Sequence, residues 1–227
     1  MATREAAMDA IAGKERLLDG LCSVARVGTS VCSRIGNASK GMAYSSLALL
    51  ASTPTFYIYM GKSEARLAMA SVGFEAIGAV GLLNSVHHSA MAAKDIWLLK
   101  RGIKGMQKLE LDADALGGSL KASAEATRSE TAGRIVELRG LGRSLYYSVA
   151  TCFAGGAMMG SSVYFAELIN RDNAYSRADV SGAFYFFIMG ITALVGSHVW
   201  GITVSARAKA LEEDFRSIVR GRDGIRQ

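Results

Sequence analysis

The runs SLYYSVATCFAGGAMMGSSVYFA (144–166) and VSGAFYFFIMGITALVGSHVWGITVSA (180–206) contain no Asp, Glu, Lys or Arg, and the polar turn ELINRDNAYSRAD joins them. At about 1.5 Å of rise per residue, each run as a helix covers the roughly 30 Å hydrocarbon thickness of a bilayer. Buried helices of a soluble domain of this size usually keep a charged stripe, and neither run has one. The sequence therefore predicts a transmembrane hairpin over 144–206.

Composition extends this prediction to the whole chain. Of its 227 residues 50% are hydrophobic, the formal charge is +6, and the apolar residues are concentrated in blocks. One proline and 25 glycines favour helices that pack closely through small residues, and strand signals are nearly absent. We expect an all-α, polytopic helical membrane protein with an amphipathic N-terminal helix.

The cysteines and the N-terminus exclude several classes. Cys22, Cys32 and Cys152 form no CxxC motif and have no histidine at ligand spacing, so neither a disulfide framework nor a metal or cofactor site is expected. The first residues, MATREAAMDAIAGKER, contain acidic side chains and no apolar core before a cleavage site, unlike a secretory signal or a transit peptide.

Residues 1–40 form an amphipathic N-terminal region. Its apolar side chains recur at spacings of three, four or seven, and its arginines fall elsewhere around the helix. The predicted membrane-inserting face is Leu17, Leu21, Val24, Val31 and Ile35, with Arg16, Arg26 and Arg34 placed near lipid phosphate. Packing of the same face on neighbouring helices is the alternative.

A second hairpin, transmembrane or re-entrant, is expected over 41–93. Residues 41–61 are uncharged, and 67–93 are apolar apart from Glu75, His87 and His88. If all four apolar segments cross, one side of the membrane carries 22 Lys and Arg and the other side 4. This asymmetry predicts an even number of crossings with both termini cytosolic.

The segments 94–143 and 207–227 carry most of the remaining charge. KDIWLLKRGIKGMQK places Trp97 as an interface anchor, with Lys100, Arg101 and Lys104 contacting anionic lipid. A cytosolic helical loop of mixed charge follows, broken at Gly117 and Gly118, and 207–227 is a basic cytosolic tail. The basic cluster adjoins an apolar run and has no nucleic-acid-binding motif, so no nucleic-acid partner is expected.

Motifs for catalysis are missing from the sequence. It has no GxSxG elbow, no Walker loop and no GxGxxG fingerprint, so no catalytic residue and no enzyme activity are expected. Gly156 and Gly160 form a GxxxG pattern for helix packing, either within one chain or in a homo-oligomer. Polar residues in the apolar segments, Glu75, Asn84 and the histidines, leave a small-solute channel or carrier component open. The apolar faces also suit a scaffold subunit of a larger membrane complex.

Three short patterns stand out: KERLLDGLCSVARVG (14–28), AMAAKDIWLLKRGI (90–103) and the final span with its tail FRSIVRG. These patterns resemble the peroxin-11 family, including its kinetoplastid glycosomal members. The resemblance implies a peroxisomal or glycosomal membrane protein acting in organelle elongation and division, with organelle-division proteins as partners. Insertion of the amphipathic helix into one leaflet would add area there and favour curvature, and self-association would concentrate the effect. A mitochondrial membrane is the alternative location.

Overall fold

The described residues of the chain form four long helices. The computed structural model describes the backbone over 2–62, 65–111, 118–172 and 177–225, and the side-chain surroundings over 19–52, 69–101, 129–166 and 180–220. The helices are α1 (Ala2–Lys62), α2 (Ala65–Leu111), α3 (Gly118–Asp172) and α4 (Arg177–Ile225). Throughout these described residues the chain is helical without a strand, which confirms the predicted all-α class.

Two compact units divide the chain, and every helix contributes a segment to each. Unit 1 comprises Met1–Ile35, Ala90–Gly142 and Arg207–Gln227, and unit 2 comprises Gly36–Ser89 and Arg143–Ala206. The predicted changes of composition near residues 40, 93, 143 and 206 therefore fall inside continuous helices. The predicted break at Gly117 and Gly118 coincides with the start of α3, and the predicted turn 167–179 contains the end of α3 and the start of α4.

Unit 2 is a four-helix bundle in which consecutive helices are antiparallel. Gly41 of α1 lies beside Ser85 of α2, because an added Cβ would be 2.8 Å from Ser85 Oγ. Further along α1, the Ser52 carbonyl oxygen accepts a hydrogen bond of 3.1 Å from Ser71, which precedes Ser85 in α2. The same inverse order relates α3 to α4: Trp200 Nε1 donates to Ser144 Oγ at 2.5 Å, and further along α3 Met159 packs on Gly190 of α4. Side chains from α1, α3 and α4 form its core.

A seven-residue period determines which side chains are buried. In α4 the buried positions alternate in steps of four and three, and in α2 they recur every seven residues. The α4 positions are 190, 194, 197, 201, 204, 208, 211 and 215, and the α2 positions are Ser71, Gly78, Ser85, Ala92 and Leu99. This is the packing period of a left-handed coiled coil, and it continues through the change from apolar to charged sequence.

Unit 1 has an apolar interior with ion pairs between its helices. The Phe215 ring of α4 is fully buried and lies over Gly28 of α1, where an added Cβ would be 2.9 Å from the ring. Arg34 Nη1 lies 3.0 Å from Asp95 Oδ2 in ion-pair contact, without hydrogen-bond geometry. A second pair, Arg134 with Asp214, connects α3 to α4.

Candidate membrane interface

Among the described residues, three helices are long and apolar enough to cross a membrane. The segments are Met69–Arg101 of α2, Ser129–Ala166 of α3 and Val180–Arg220 of α4. Inside unit 2 many of their large apolar side chains face outward, among them Val80, Phe153 and Val195. The remaining helix, α1, lies against them, with Met42 in the core of unit 2. Its uncharged run 41–61 lies partly outside the described side chains, which end at residue 52.

Charge is almost excluded from the described part of unit 2. Its charged side chains there are Lys40, Glu75 and Arg143. Lys40 and Arg143 are exposed and lie within one helical turn of the tyrosines described next. An outer surface of this composition is suited to lipid tails.

Exposed aromatic side chains form a first aromatic belt at one end of unit 2. It consists of Tyr44, Tyr146, Tyr147 and Trp200. Two contacts place these residues at the same level. Trp200 Nε1 donates to Ser144 Oγ, and His198 Nδ1 contacts the Ala43 carbonyl oxygen at 3.1 Å. Amphipathic rings next to basic side chains are typical of the membrane–water interface.

A second aromatic belt lies at the other end of unit 2. Its members, Tyr164, Phe184 and Tyr185, are also exposed, and beside them the rings of Phe165 and Phe186 stack with centroids 5.7 Å apart. From Tyr146 to Tyr164 is about 27 Å along α3 at 1.5 Å per residue, and from Tyr185 to Trp200 about 22 Å along α4. Both spacings are close to the roughly 30 Å thickness of the hydrocarbon core.

Buried serines line the contacts between helices in unit 2. Ser85 Oγ donates to the Ala38 carbonyl oxygen of α1 at 2.8 Å, and Ser148 Oγ donates to the Ser197 carbonyl oxygen of α4 at 3.2 Å. Others, such as Ser45, donate to a carbonyl one turn earlier in their own helix. Small side chains whose hydroxyls are satisfied by backbone allow close approach of helices in an apolar environment.

His198 joins α4 to α1 by the same kind of contact. Its Nδ1 lies 3.1 Å from the Ala43 carbonyl oxygen and 3.4 Å from Ser46 Oγ. A carbonyl oxygen only accepts, so this contact places the proton on Nδ1. The ring is therefore a packing and hydrogen-bonding group between the two helices.

Glu75 is an exposed carboxyl on α2, and it lies near the middle of unit 2. Its neighbour one turn on, Gly78, faces Leu49 of α1, since a Cβ at Gly78 would be 2.9 Å from Leu49 Cγ. On the other side of Leu49, a Cβ at Gly156 of α3 would lie 3.2 Å from Leu49 Cδ1. Gly156 is about midway along α3 between Tyr146 and Tyr164, which belong to the two aromatic belts. A charged side chain at this depth costs about 2.5–3.5 kcal/mol on insertion scales.

This register separates Glu75 from Lys62, the last residue of α1. Glu75 lies level with the region of Leu49, thirteen residues before Lys62, which is on the order of 20 Å along α1. The Lys62 and Arg66 side chains lie outside the described residues. Elsewhere on α2, Asn84 Nδ2 lies beside Gly41 of α1. Glu75 and Asn84 are both exposed, on opposite sides of α2, so they do not line one interior pathway.

The histidines are not brought together. His87 and His88 are in edge-to-face contact with ring centroids 5.6 Å apart, whereas His198 contacts Ala43 and Ser46. Within the described ranges no group of three His, Cys, Asp or Glu side chains is placed to hold a metal ion.

The predicted membrane-inserting face of α1 is covered by protein. Leu21 and Val24 are 5% exposed, and Val31 and Ile35 are fully buried. Leu17 lies outside the described side chains. The heptad spacing that gives α1 its apolar stripe also lets this stripe pack between neighbouring helices. In this conformation these side chains therefore contact other helices, as in the packing alternative.

The predicted lipid-phosphate contacts have different surroundings. Arg26 and Lys100 are exposed, and Arg34 is paired with Asp95 instead of pointing freely to solvent. Arg101 lies over the ring of the exposed Trp97, with its Cζ 5.6 Å from the ring centroid. The side chains of Arg16 and Lys104 lie outside the described residues.

The two glycines of the GxxxG pattern also differ. Gly156 packs within the chain against Leu49, whereas a Cβ at Gly160 would meet nothing within 4 Å. Gly155, next to the pattern, lies against Leu194 at 3.0 Å by the same measure. Gly156 is therefore a packing position of unit 2, and Gly160 is part of its outer surface.

The fold and this interface define a polytopic helical membrane protein. No protein-family model, curated protein or solved structure matches the chain. The class therefore stands on the three apolar helices and the two belts.

Sequence reasoning did not identify the two belts or the paired charges of unit 1. The belts cannot be recognised from neighbouring residues, because each belt brings together residues far apart in sequence, such as Tyr44, Tyr146 and Trp200. The seven-residue recurrence of Ser71, Gly78 and Ser85 was a usable signal, since it marks the contact line of α2 directly.

Proposed function

We propose that this chain is an integral peroxisomal or glycosomal membrane protein that shapes its membrane and promotes organelle elongation and division. The observation that carries the membrane role is the apolar outer surface of unit 2 between two aromatic belts. Support for the organelle is the resemblance of 14–28 and 90–103 to the peroxin-11 family.

The proposal includes four crossings with both termini in the cytosol. Support comes from α1, which packs antiparallel to α2 and α4 inside unit 2 through Ser52, Ser85 and His198. A helix packed against membrane-spanning partners satisfies its serine hydroxyls within the protein. The excess of Lys and Arg in the segments before 41, over 94–143 and after 206 favours the cytosol for these segments.

In the proposed shaping mechanism, the apolar face of α1 leaves the interior of unit 1 and inserts into one leaflet. Leu21, Val24, Val31 and Ile35 are held in the interior of unit 1, so unit 1 must open first. Exposing such side chains to water costs about 1.5–3 kcal/mol each, and the acyl boundary returns much of this free energy. Insertion then enlarges one leaflet and favours curvature.

The test is expression of the full chain with a fluorescent tag at graded doses. We expect labelled peroxisomes or glycosomes that become longer or more numerous as the dose rises. Gly133→Leu serves as a control variant, because a Cβ at this position of unit 1 meets nothing within 4 Å. It should change organelle shape as the unchanged chain does. Location in mitochondria without a change of shape would overturn the proposal.

A further inference from the structure

The most unusual side chain of unit 2 is Glu75, an exposed carboxyl at the middle of an apolar surface. Among the described residues, no hydrogen bond or ion pair to it is found. Its neighbours one turn away are Ser71 and Ala79. The Ser71 hydroxyl donates its hydrogen bond to the Ser52 carbonyl oxygen, and Ala79 has no polar side chain. Lipid tails offer no hydrogen-bond partner, so a partner must come from another membrane-embedded group.

The surface around Glu75 has the pattern of a helix-pairing seam. Val72, Glu75, Ala79 and Val86 alternate in steps of three, four and seven, and all four are exposed. Ala79 is small enough for close approach of a second helix. A single polar residue in such a seam fixes the register and the number of partner helices.

A second copy of the chain offers a matching group at the same depth. Copies inserted in one orientation have parallel α2 helices, and a two-fold axis along the membrane normal brings Glu75 to Glu75 of the other copy. In the neutral form each carboxyl has one O–H donor and one carbonyl acceptor, so two of them satisfy each other. The described cations of unit 2, Lys40 and Arg143, lie near the first aromatic belt, so neither pairs with Glu75 across a symmetric dimer.

We infer that α2 is the self-association face of this protein, with a hydrogen-bonded pair of Glu75 side chains at the centre of a parallel dimer. The inference rests on the membrane embedding in the proposed function. It assigns self-association to Val72, Glu75, Ala79 and Val86, not to Gly160.

Cysteine cross-linking in proteoliposomes tests this dimer. The purified full chain keeps its three native cysteines, since all of them are buried, and receives one added cysteine, Ala79→Cys on the seam. The matched control is Ile77→Cys, exposed on another side of α2. Under mild oxidation we expect several-fold more disulfide-linked dimer from Ala79→Cys than from Ile77→Cys, because a disulfide requires Cα atoms within about 7 Å.

Variants at Glu75 then test the carboxyl pair. In the Ala79→Cys chain, Glu75→Leu should abolish the cross-link, whereas Glu75→Gln should retain it because an amide also has a donor and an acceptor. Equal cross-linking at 77 and 79, no dimer at 79, or a dimer undiminished by Glu75→Leu would overturn the inference.

Alkaline extraction of the same vesicles separates this inference from the proposed function. A chain that stays in the membrane but does not cross-link overturns the dimer and leaves membrane shaping in place. A chain released by alkali overturns both. Unchanged organelle shape in cells, together with the expected cross-links, overturns only the shaping role.

Discussion

Gly28 determines how closely α1 and α4 approach in unit 1. A Cβ at this position would lie 2.9 Å from the fully buried Phe215 ring, so Gly28→Leu must displace the ring or separate the helices. Overpacking of this kind costs about 1–3 kcal/mol. We expect a lower free energy of unfolding in denaturant titrations, and stronger tubulation of anionic liposomes because the apolar face of α1 is released more readily.

Two further variants make this prediction specific. Gly133→Leu changes an exposed glycine of the same unit with open space around it, so its stability and tubulation should match those of the unchanged chain. Leu21→Asp combined with Val24→Asp also opens unit 1, but it removes the apolar surface that enters the leaflet. It should therefore lose tubulation, and retained tubulation would contradict the insertion mechanism.

Cys32 reports whether unit 1 is closed. Burial, and then the negative charges of Glu212, Glu137 and Asp214, raise the pKa of the Cys32 thiol from 9.0 to about 12. The thiolate is the form that reacts with alkylating agents, so the folded chain keeps Cys32 unreactive at pH values where an ordinary thiol is half ionised. The same shift makes the folded state less stable as pH rises from about 9 towards 12.

The corresponding measurement is the rate of Cys32 alkylation against pH, followed by peptide mass spectrometry. At pH 10 we expect slow modification in the folded chain and rapid modification in denaturant. Gly28→Leu should increase the rate in the absence of denaturant, whereas Gly133→Leu should not. A folded chain with half-maximal reactivity near pH 9 would contradict the closed arrangement of unit 1.

At the scale of elements, α2 is held to α1 by a narrow line of small residues. A Cβ at Gly81 would lie 2.9 Å from the Gly41 carbonyl oxygen and closer still to Ser45 Oγ. Backbone cannot move aside as a side chain can, so Gly81→Leu should push α2 away from α1. We expect the free energy of unfolding to fall by about 1–3 kcal/mol or more, which is measured as a lower unfolding temperature in detergent.

Gly73→Leu is the matched control on the same helix. A Cβ at Gly73 meets nothing within 4 Å, and leucine favours helix over glycine by somewhat less than about 1 kcal/mol. Its unfolding temperature should therefore equal or exceed that of the unchanged chain. Equal losses at positions 73 and 81 would show that α2 does not pack on α1 along this line.

Sequence alone predicts the elements of this protein better than their faces. The uncharged runs 144–166 and 180–206 indicate apolar helices because length and hydropathy are properties of neighbouring residues. Leu21 and Ile35 show the limit, since an apolar stripe facing lipid and one facing protein have the same period. Which partner covers the stripe depends on distant residues such as Phe215.

Helix continuity was the other property that composition obscured. The change from apolar to charged residues near 143 and 206 suggested separate elements, but α3 and α4 continue through it. Backbone hydrogen bonds follow helical propensity and the heptad contacts, both of which persist where polarity changes. Leu145 and Leu138, seven residues apart on α3, are buried on either side of residue 143.

At the scale of the whole molecule, unit 2 supports the proposal of four crossings. All four helices contribute to this unit, and three of them are long and apolar enough to span a membrane. Because α1 is antiparallel to α2 and α4 there, the fourth helix crosses with them in the proposed topology. An even number of crossings places both termini on one side.

Cysteine labelling of intact organelles measures this topology. The native cysteines are buried, so a membrane-impermeant maleimide reports on added cysteines: Thr3→Cys near the N-terminus, Gly224→Cys near the C-terminus, and Ser63→Cys and Asn173→Cys between helices. We expect labelling of positions 3 and 224 in intact organelles, and of 63 and 173 only after permeabilisation. Labelling of one terminus alone would mean an odd number of crossings, and α1 would then lie along the membrane surface instead of inside the bundle. Labelling of 63 but not 173 in intact organelles would restrict the crossings to α3 and α4, and the seam on α2 would then lose its place at membrane depth.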